Sequence, residues 1–347
     1  MKNFWYEKPV VVTGGASFIG SHLVDRLCSL GADVTVVDDF SSGRMENLKS
    51  NLKNIKIAKQ NLETDSYSTI KKSFAGAEVV FHLAAIHGGR GFIDTHPADC
   101  SSNFAIDHRV YDISSRVGVD RIIMASSACA YPPILQDDKS SNYLLREIDS
   151  NTEKLENPLS ADREYGWAKL MGEVQLRAFV KQYGINGGSL RFVTAYGPRE
   201  NETHAIIALI HKAYERMDPY VVWGDGKQLR DFTYVDDIVS GTLLAGERLL
   251  DGSAINLGTG VRYQIRKVAE KICKMMDFNP RFKFDRSMPI GVVNRGLDNS
   301  LAKRLLGWTP KIGLEEGLSK TIDWYVKTHK RKGRVNEQIL FENKPSE

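Results

Sequence analysis

Tyr165 and Lys169 are four residues apart in a segment, Tyr165–Val180, whose pattern predicts a helix, so their side chains project from the same face. A phenol, with a pKa of about 10, is a poor base at neutral pH, but a neighbouring ammonium stabilises its phenolate. Such a pair can take a proton from a substrate hydroxyl. The competing interpretation is an ordinary solvated Tyr/Lys pair, which is common on surface helices.

Ser127 and Cys129 follow a predicted buried strand, Ile122–Ala125. Catalytic groups gather at the carboxyl ends of parallel strands, so Ser127 is the natural hydrogen-bonding partner for a reacting oxygen. Cys129 has two interpretations. A thiolate there can exchange a proton with carbon, whereas a free cysteine at a strand end is often only a small buried apolar residue.

The turn from Thr13 to Gly20 follows the first predicted strand and opens the first helix. Glycines let the backbone approach a pyrophosphate there, and the helix N-terminus stabilises its charge. Asp38 ends the second strand 18 residues after Gly20, where a carboxylate accepts ribose hydroxyls. We therefore predict NAD as cofactor; Arg44 keeps NADP as the alternative. Ser17, in place of a middle glycine, predicts a phosphate slightly farther out or one bonded to its hydroxyl.

The first half of the chain alternates short β-branched runs with segments of helical spacing. The predicted strands are Val10–Thr13, Val34–Val37, Ile55–Ala58, Val79–Leu83, Ile122–Ala125 and Ser189–Val193. Because these runs are apolar on both faces, we predict an α/β fold, a Rossmann-type doubly wound parallel sheet with a smaller C-terminal substrate-binding lobe. Loops and prolines after about residue 195 suggest the domains: 1–195 binds NAD, with some later segments returning to it, 196–330 is mainly the substrate-binding lobe, and 331–347 is a polar tail.

Composition excludes several classes of partner. A formal charge of +4 is small for 347 residues, so neither nucleic acid nor a membrane is predicted as a partner. The four cysteines are scattered, without the spacing of a zinc site or a disulfide framework, so we predict no metal and a reducing compartment. We find neither a signal-peptide pattern nor a membrane-spanning run, and we expect a cytoplasmic protein.

Across nearly its whole length the sequence resembles the extended short-chain dehydrogenase/reductase family of NAD-dependent nucleotide-sugar epimerases and dehydratases. The motifs that carry the resemblance are the glycine turn, His82-Leu83-Ala84-Ala85, Ser126-Ser127-Ala128, Tyr165-xxx-Lys169, Arg191 through Tyr196-Gly197-Pro198-Arg199, Trp223-Gly224-Asp225-Gly226, and Arg230-Asp231-Phe232-Thr233-Tyr234-Val235-Asp236-Asp237. The resemblance implies that Ser127, Tyr165 and Lys169 form a catalytic triad.

The predicted binding residues fall into two sets. Those assigned to the cofactor are Gly14, Ser17, Phe18, Ile19, Gly20, Asp38, Asn61, Leu62, Leu83, Ala84, Ala85, Tyr165, Lys169 and Phe192. Those assigned to a nucleotide-diphosphate sugar are Gly88, Gly89, Arg90, Ser127, Arg199, Trp223, Arg230 and Arg295. The resemblance implies that Arg230 and Arg295 hold the diphosphate, which suits bidentate guanidinium chemistry, although a surface salt bridge is the alternative for Arg295.

The residues at two positions restrict which reaction of the family is expected. Family members that dehydrate the sugar carry an Asp-Glu pair where this chain has Ala128 and Cys129, so dehydration is not expected. The segments Ser126–Pro132 and Gly88–Phe92 resemble the GDP-mannose 3,5-epimerases in particular, and this implies that Cys129 exchanges a proton beside a transient 4-keto group. Those epimerases carry a lysine acid in a longer loop after Tyr-Gly-Pro; here His204 is the candidate acid, and a structural histidine is the alternative.

We therefore predict an NAD-dependent nucleotide-sugar epimerase, with 3,5- or 5-epimerisation as the first hypothesis. The alternative is a 4-epimerase that needs only Ser127, Tyr165, Lys169 and NAD. A third hypothesis, from another class, is a cofactor-binding scaffold without turnover. The resemblance also implies a homodimer, in which Phe104–Arg116 and Tyr165–Tyr183 pair as a four-helix bundle.

Overall fold

The computed structural model describes residues 3–153 and 159–332. The strands of these residues are β1 (Pro9–Thr13), β2 (Asp33–Asp38), β3 (Ile55–Lys59), β4 (Val79–His82), β5 (Arg121–Ser127), β6 (Asn186–Phe192), β7 (Thr194–Tyr196), β8 (Tyr220–Trp223), β9 (Leu229–Tyr234), β10 (Ala254–Leu257), β11 (Arg262–Gln264), β12 (Phe282–Asp285) and β13 (Asn294–Arg295). The helices are α1 (Phe18–Ser29), α2 (Tyr67–Phe74), α3 (Arg90–Thr95), α4 (Pro97–Ser101), α5 (Asn103–Val117), α6 (Arg163–Tyr183), α7 (Ala205–Tyr214), α8 (Val235–Arg248), α9 (Ile265–Met275), α10 (Ser300–Leu306) and α11 (Leu314–Lys332).

The main sheet has seven strands in the order β10-β6-β5-β4-β1-β2-β3, all parallel. The six strands predicted from the sequence are β1 to β6, each within a few residues of its predicted bounds. The strand order reverses at β1, which lies between β2 and β4, and this opens a crevice at the carboxyl ends of β1 and β4. The predicted doubly wound fold is confirmed.

The two faces of the sheet bury alternate side chains of each strand, as the twofold period of a strand requires. In β1, Val10 and Val12 pack in one core together with residues of α1 and α8. Val11 packs in a second core, with residues of α2, α5 and α6. The helices on both faces explain why these strands have no polar face.

The later part of the chain builds two small sheets and also returns to the large one. Strand β9 pairs with β7, β11 and β13, and β8 pairs with β12. Strand β10 joins the main sheet beside β6. The assignment of the 196–330 lobe to substrate stays a prediction, and residues 333–347 of the predicted tail lie outside the described residues.

None of the described helices combines the length and the apolar character that a bilayer crossing requires. No group of three or more His, Cys, Asp or Glu side chains within 3–153 and 159–332 is arranged to hold a metal ion.

Candidate active site

The turn between β1 and α1 is tightly packed against the loop that follows β4. Gly14 has φ +68°, and a Cβ there would lie 2.8 Å from the backbone nitrogen of Ala84. A Cβ at Gly20 would collide with the carbonyl oxygen of Gly14. No side chain caps α1, so the amides of its first turn, including those of Phe18 and Ile19, stay available to an anion. The turn therefore fits a pyrophosphate.

Ser17 uses its hydroxyl within this turn. Its Oγ donates a hydrogen bond to the carbonyl oxygen of Gly14 at 2.6 Å. The hydroxyl proton is thus engaged by the turn itself, so the expectation that it bonds a phosphate has no support here. Its contribution is to hold the turn in shape.

Asp38 ends β2 beside the same turn and is buried. Its carboxylate accepts hydrogen bonds from the backbone N–H groups of Ala16, at 2.9 Å, and Phe40, at 2.8 Å. Burial raises the pKa of Asp38, while these two hydrogen bonds act in the opposite direction. The remaining lone pairs of a fixed carboxylate suit the two ribose hydroxyls of an adenosine.

The other predicted cofactor residues surround this crevice. Ala84 donates its N–H to Thr13 Oγ1 at 3.2 Å, which joins the loop after β4 to the end of β1. Asn61 donates to the carboxylate of Asp39 at 3.0 Å. Three further predicted residues are apolar and buried or half-buried at strand ends: Leu62, Leu83 and Phe192, and Ala85 is half-buried in the loop after β4. Their contacts with NAD remain predictions.

Tyr165, Ser127 and Lys169 lie together at the carboxyl end of β5. The Lys169 ammonium is 5.8 Å from the centre of the Tyr165 ring, and Tyr165 shares a side-chain hydrogen bond with Ser127. Burial raises the pKa of Tyr165, with further increases from Cys129 and Asp107, and the hydrogen bond with Ser127 lowers it. The phenol is protonated at neutral pH in the bare site, so phenolate formation depends on additional positive charge.

Two carboxylates, which sequence reasoning missed, lie beneath Lys169. Asp107 comes from α5, and Glu173 is one turn beyond Lys169 on α6. Burial lowers the pKa of Lys169, whereas Asp107 and Glu173 raise it and so favour its charged form. Glu173 forms an ion pair of 2.7 Å with the buried Arg191 of β6, so the support for Lys169 is anchored in the sheet. The i, i+4 spacing of Lys169 and Glu173 was the available signal.

Cys129 contacts an arginine from the distant strand β13. Arg295 Nη1 donates to the Cys129 sulfur at 3.3 Å, and Nη2 is 2.9 Å from the carboxylate of Asp162. Asp162 also accepts two hydrogen bonds from Arg90, at 2.9 and 3.0 Å. Arg295 and Arg90 therefore share one carboxylate beside the thiol. The salt bridge considered for Arg295 is present, with Asp162, but it is not on the surface, since the Arg295 side chain is only 12% exposed. The role of Arg295 in holding a diphosphate stays a prediction.

Arg230 lies near this group without a carboxylate of its own. Its guanidinium donates to the backbone carbonyls of Leu229, at 2.8 Å, and Ile290, at 2.6 Å. Burial, with a smaller contribution from the neighbouring Arg295, lowers the pKa of Arg230 to about 9. An incompletely compensated buried cation is a suitable partner for a diphosphate.

Trp223 and the loop from Gly88 to Phe92 are predicted to contact the substrate. Trp223 is 40% exposed at the end of β8. The following glycine, Gly224, packs on Ile290, whose carbonyl binds Arg230. Gly89 is close to the carbonyl oxygen of Thr203, because a Cβ at Gly89 would lie 3.0 Å from that oxygen. A Cβ at Gly88 would lie 2.6 Å from that of Phe92, so this loop is packed rather than open.

The loop after β7 separates two predicted residues. His204 faces the site: its Nδ1 lies 3.2 Å from Glu200, and its ring centre is 6.1 Å from that of His87. Arg199 instead forms an ion pair of 2.8 Å with Asp25 on α1. The structure does not bring Arg199 to the Tyr165 group, and its role in substrate binding stays a prediction. Sequence reasoning missed both His87 and Glu200.

A dinucleotide turn, a Tyr-Lys pair on α6 near the end of β5 and the incompletely compensated Arg230 are typical of an NAD-dependent enzyme that acts on an anionic substrate. The chain belongs to the NAD dependent epimerase/dehydratase family, whose model matches residues 10–258. Its cofactor is NAD, and the predicted class, an NAD-dependent nucleotide-sugar epimerase, is confirmed. The scaffold hypothesis is therefore not supported.

Three similar proteins represent the range of relatives. The chain is 30% identical to the UDP-glucose 4-epimerase of Mycolicibacterium smegmatis, over 91% of this chain and 97% of that one. It is 31% identical to GDP-mannose 3,5-epimerase 1 of Oryza sativa, over 91% and 81%. A solved structure of Thermotoga maritima UDP-glucose 4-epimerase with UDP-glucose has a TM-score of 0.80 and 31% identity, covering 92% of this chain and 99% of that one.

Proposed function

We propose that this protein inverts C4 of a UDP-linked hexose through a transient 4-keto sugar. The observation that carries the proposal is the cluster of Tyr165, Ser127 and Lys169 beside the dinucleotide turn. The similarity to UDP-glucose 4-epimerases over nearly the full length of both chains supports this reaction better than our first hypothesis of 3,5-epimerisation.

Each residue of the site has a separate role in the proposed reaction. Ser127 and Tyr165 hold the C4 hydroxyl, and Tyr165 removes its proton as the hydride leaves. NAD, which the turn between β1 and α1 and the carboxylate of Asp38 would hold, would supply the hydride acceptor and donor. Lys169, kept charged by Asp107 and Glu173, stabilises the phenolate. Arg230 holds the diphosphate, so that the ketone can turn while the nucleotide stays in place.

A proton-NMR screen of UDP-, GDP- and dTDP-hexoses tests the proposal. We expect C4 inversion of at least one UDP sugar and slower or no reaction with the GDP analogue. Failure to invert C4 in any of these sugars, with NAD bound, would contradict it.

A second candidate is inversion at C3 or C5, and one observation favours it. The Arg295 guanidinium donates to the Cys129 sulfur at 3.3 Å, which fixes the orientation of this side chain within the site. A Cys129 thiolate would take the acidic C3 or C5 proton of the 4-keto sugar, and His204 would supply a proton to the opposite face. Deuterium from D2O should then appear at C3 or C5, and Cys129→Ser should abolish its appearance; C4 inversion without deuterium would exclude this candidate.

We also propose a homodimer built on α5 and α6. Trp167 and Met171, one helical turn apart on α6, are each 38% exposed, whereas the buried residues of α6 pack against the sheet and α5. Val174, half-buried, continues the same stripe. A second copy of this surface would cover the apolar side chains.

A further inference from the structure

His87 is a polar side chain at the site with no role in the reaction described so far. It lies in the loop between β4 and α3, and its ring centre is 6.5 Å from that of Tyr165. The residue is exposed, so its side chain is accessible to a bound substrate. Among the described residues, neither of its ring nitrogens has a hydrogen-bond partner. At this separation, two neighbouring oxygen atoms of one sugar can each bond one of the two side chains.

A second histidine and a carboxylate lie next to His87. His204 precedes α7, with its ring centre 6.1 Å from that of His87, and its Nδ1 is 3.2 Å from Glu200. Glu200 is buried, and its Oε2 has no hydrogen-bond partner within the described residues. Burial raises the pKa of Glu200, whereas its hydrogen bond with His204 lowers it. A carboxylate that accepts from Nδ1 fixes the proton there and leaves Nε2 of His204 as an acceptor. Close packing of Gly89 on Thr203 keeps the two loops together.

We propose that His87 donates a hydrogen bond to a sugar oxygen next to the one on which Tyr165 acts, and that the Glu200–His204 pair holds the His87 ring in the required orientation. This inference rests on the proposed function and adds a residue to it. His204 and Glu200 are positioning residues, since they act through His87.

The charges around His87 suit a donor rather than a base. Desolvation by the surrounding protein, together with smaller contributions from His204 and the Lys169 ammonium, lowers the pKa of His87 to about 3. Tyr165, the other titratable side chain in ring contact, is protonated at neutral pH before the substrate reacts. His87 is consequently uncharged throughout the working range, and an uncharged imidazole has one N–H to donate. Such a donor holds the neighbouring sugar oxygen, and with it the reacting hydroxyl, in place without removing a proton itself.

The test compares two replacements of His87 in the full-length protein with NAD bound. His87→Phe keeps a ring but has no donor, and it should lower kcat for C4 inversion by about 10- to 100-fold. His87→Gln restores an N–H and should recover kcat to within about fivefold of wild type. His96→Gln is the matched control and should behave as wild type, because the His96 ring contacts Thr95, at 2.7 Å, and Phe92 rather than Tyr165.

Two further measurements separate a role in catalysis from one in structure. His204→Asn and Glu200→Gln should lower kcat in the wild-type background and have no further effect beside His87→Phe, since they act through that ring. The acidic limb of the pH profile should be the same for wild type and His87→Gln, because His87 does not titrate there.

Three results would overturn the inference. They are a His87→Phe enzyme as fast as wild type, effects of the double variants that simply add, and an acidic limb that disappears in His87→Gln. If Tyr165→Phe abolishes turnover while His87→Phe is fast, only this inference fails. If the wild-type protein inverts no sugar, the proposed function fails, and the inference fails with it.

Discussion

Tyr165 depends on its neighbours because burial makes a phenol a weaker acid. Removing its hydroxyl with Tyr165→Phe should lower kcat by about 100- to 10,000-fold, the range for loss of a general base, while NAD stays bound. Lys169→Met should act in the same direction and move the pH optimum upward, because the phenolate loses its stabilising charge. Steady-state rates between pH 6 and 10 would measure both effects. A Tyr165→Phe enzyme with ordinary turnover would exclude the proposed mechanism.

Asp38 gives a prediction about the cofactor. Asp38→Ala should weaken NAD binding by about 10- to 100-fold, because hydrogen bonds to a charged acceptor are lost. Burial raises the pKa of Asp38, so wild-type affinity should fall as the pH is lowered toward a value above the ordinary carboxyl pKa of about 3.9, where protonation removes acceptors. Asp33→Ala is the control, since Asp33 begins the same strand and pairs only with Lys56, at 2.9 Å. Calorimetric titration measures the NAD affinity of wild type and of both variants. Equal losses of affinity in the two variants would contradict the assignment of Asp38 to NAD binding.

At the scale of elements, the turn between β1 and α1 can be tested through a pair of glycines. Gly14 and Gly76 both have positive φ, +68° and +79°, so an alanine at either position is strained. Only Gly14 also has no room for a Cβ, because the backbone of Ala84 is 2.8 Å away, while nothing lies within 4 Å at Gly76. Gly14→Ala should thus cost about 1 to 3 kcal/mol more in unfolding free energy than Gly76→Ala, and it should also weaken NAD binding. Urea denaturation with and without NAD measures both effects. Equal losses of unfolding free energy in the two variants would show that the loop after β4 moves to accommodate the new Cβ.

The elements and their contacts differ in how far the sequence could predict them. The strands of the main sheet were predictable because burial on both faces leaves an uninterrupted β-branched signal, as in Val34–Val37. The pairing of Tyr165 with Lys169 followed from helical spacing alone. The contact of Arg295 with Cys129 joins residues 166 positions apart, and the approach of His204 to His87 depends on two loops that fold against each other. No local pattern encodes such contacts, so they required the structure.

At the scale of the whole molecule, α6 connects the active site with the proposed dimer, since Lys169 faces the site while Trp167 and Met171 face outward. A carboxylate placed at Met171 would have to lose its water in the interface, so Met171→Glu should convert a dimer into a monomer. Met45→Glu, at a residue 44% exposed away from α6, should leave the assembly unchanged. Sedimentation across a hundredfold range of protein concentration would measure both. If α6 needs its partner to hold Tyr165 in place, the Met171→Glu monomer should also lose kcat. A wild-type protein that sediments as a monomer at every concentration would refute the interface.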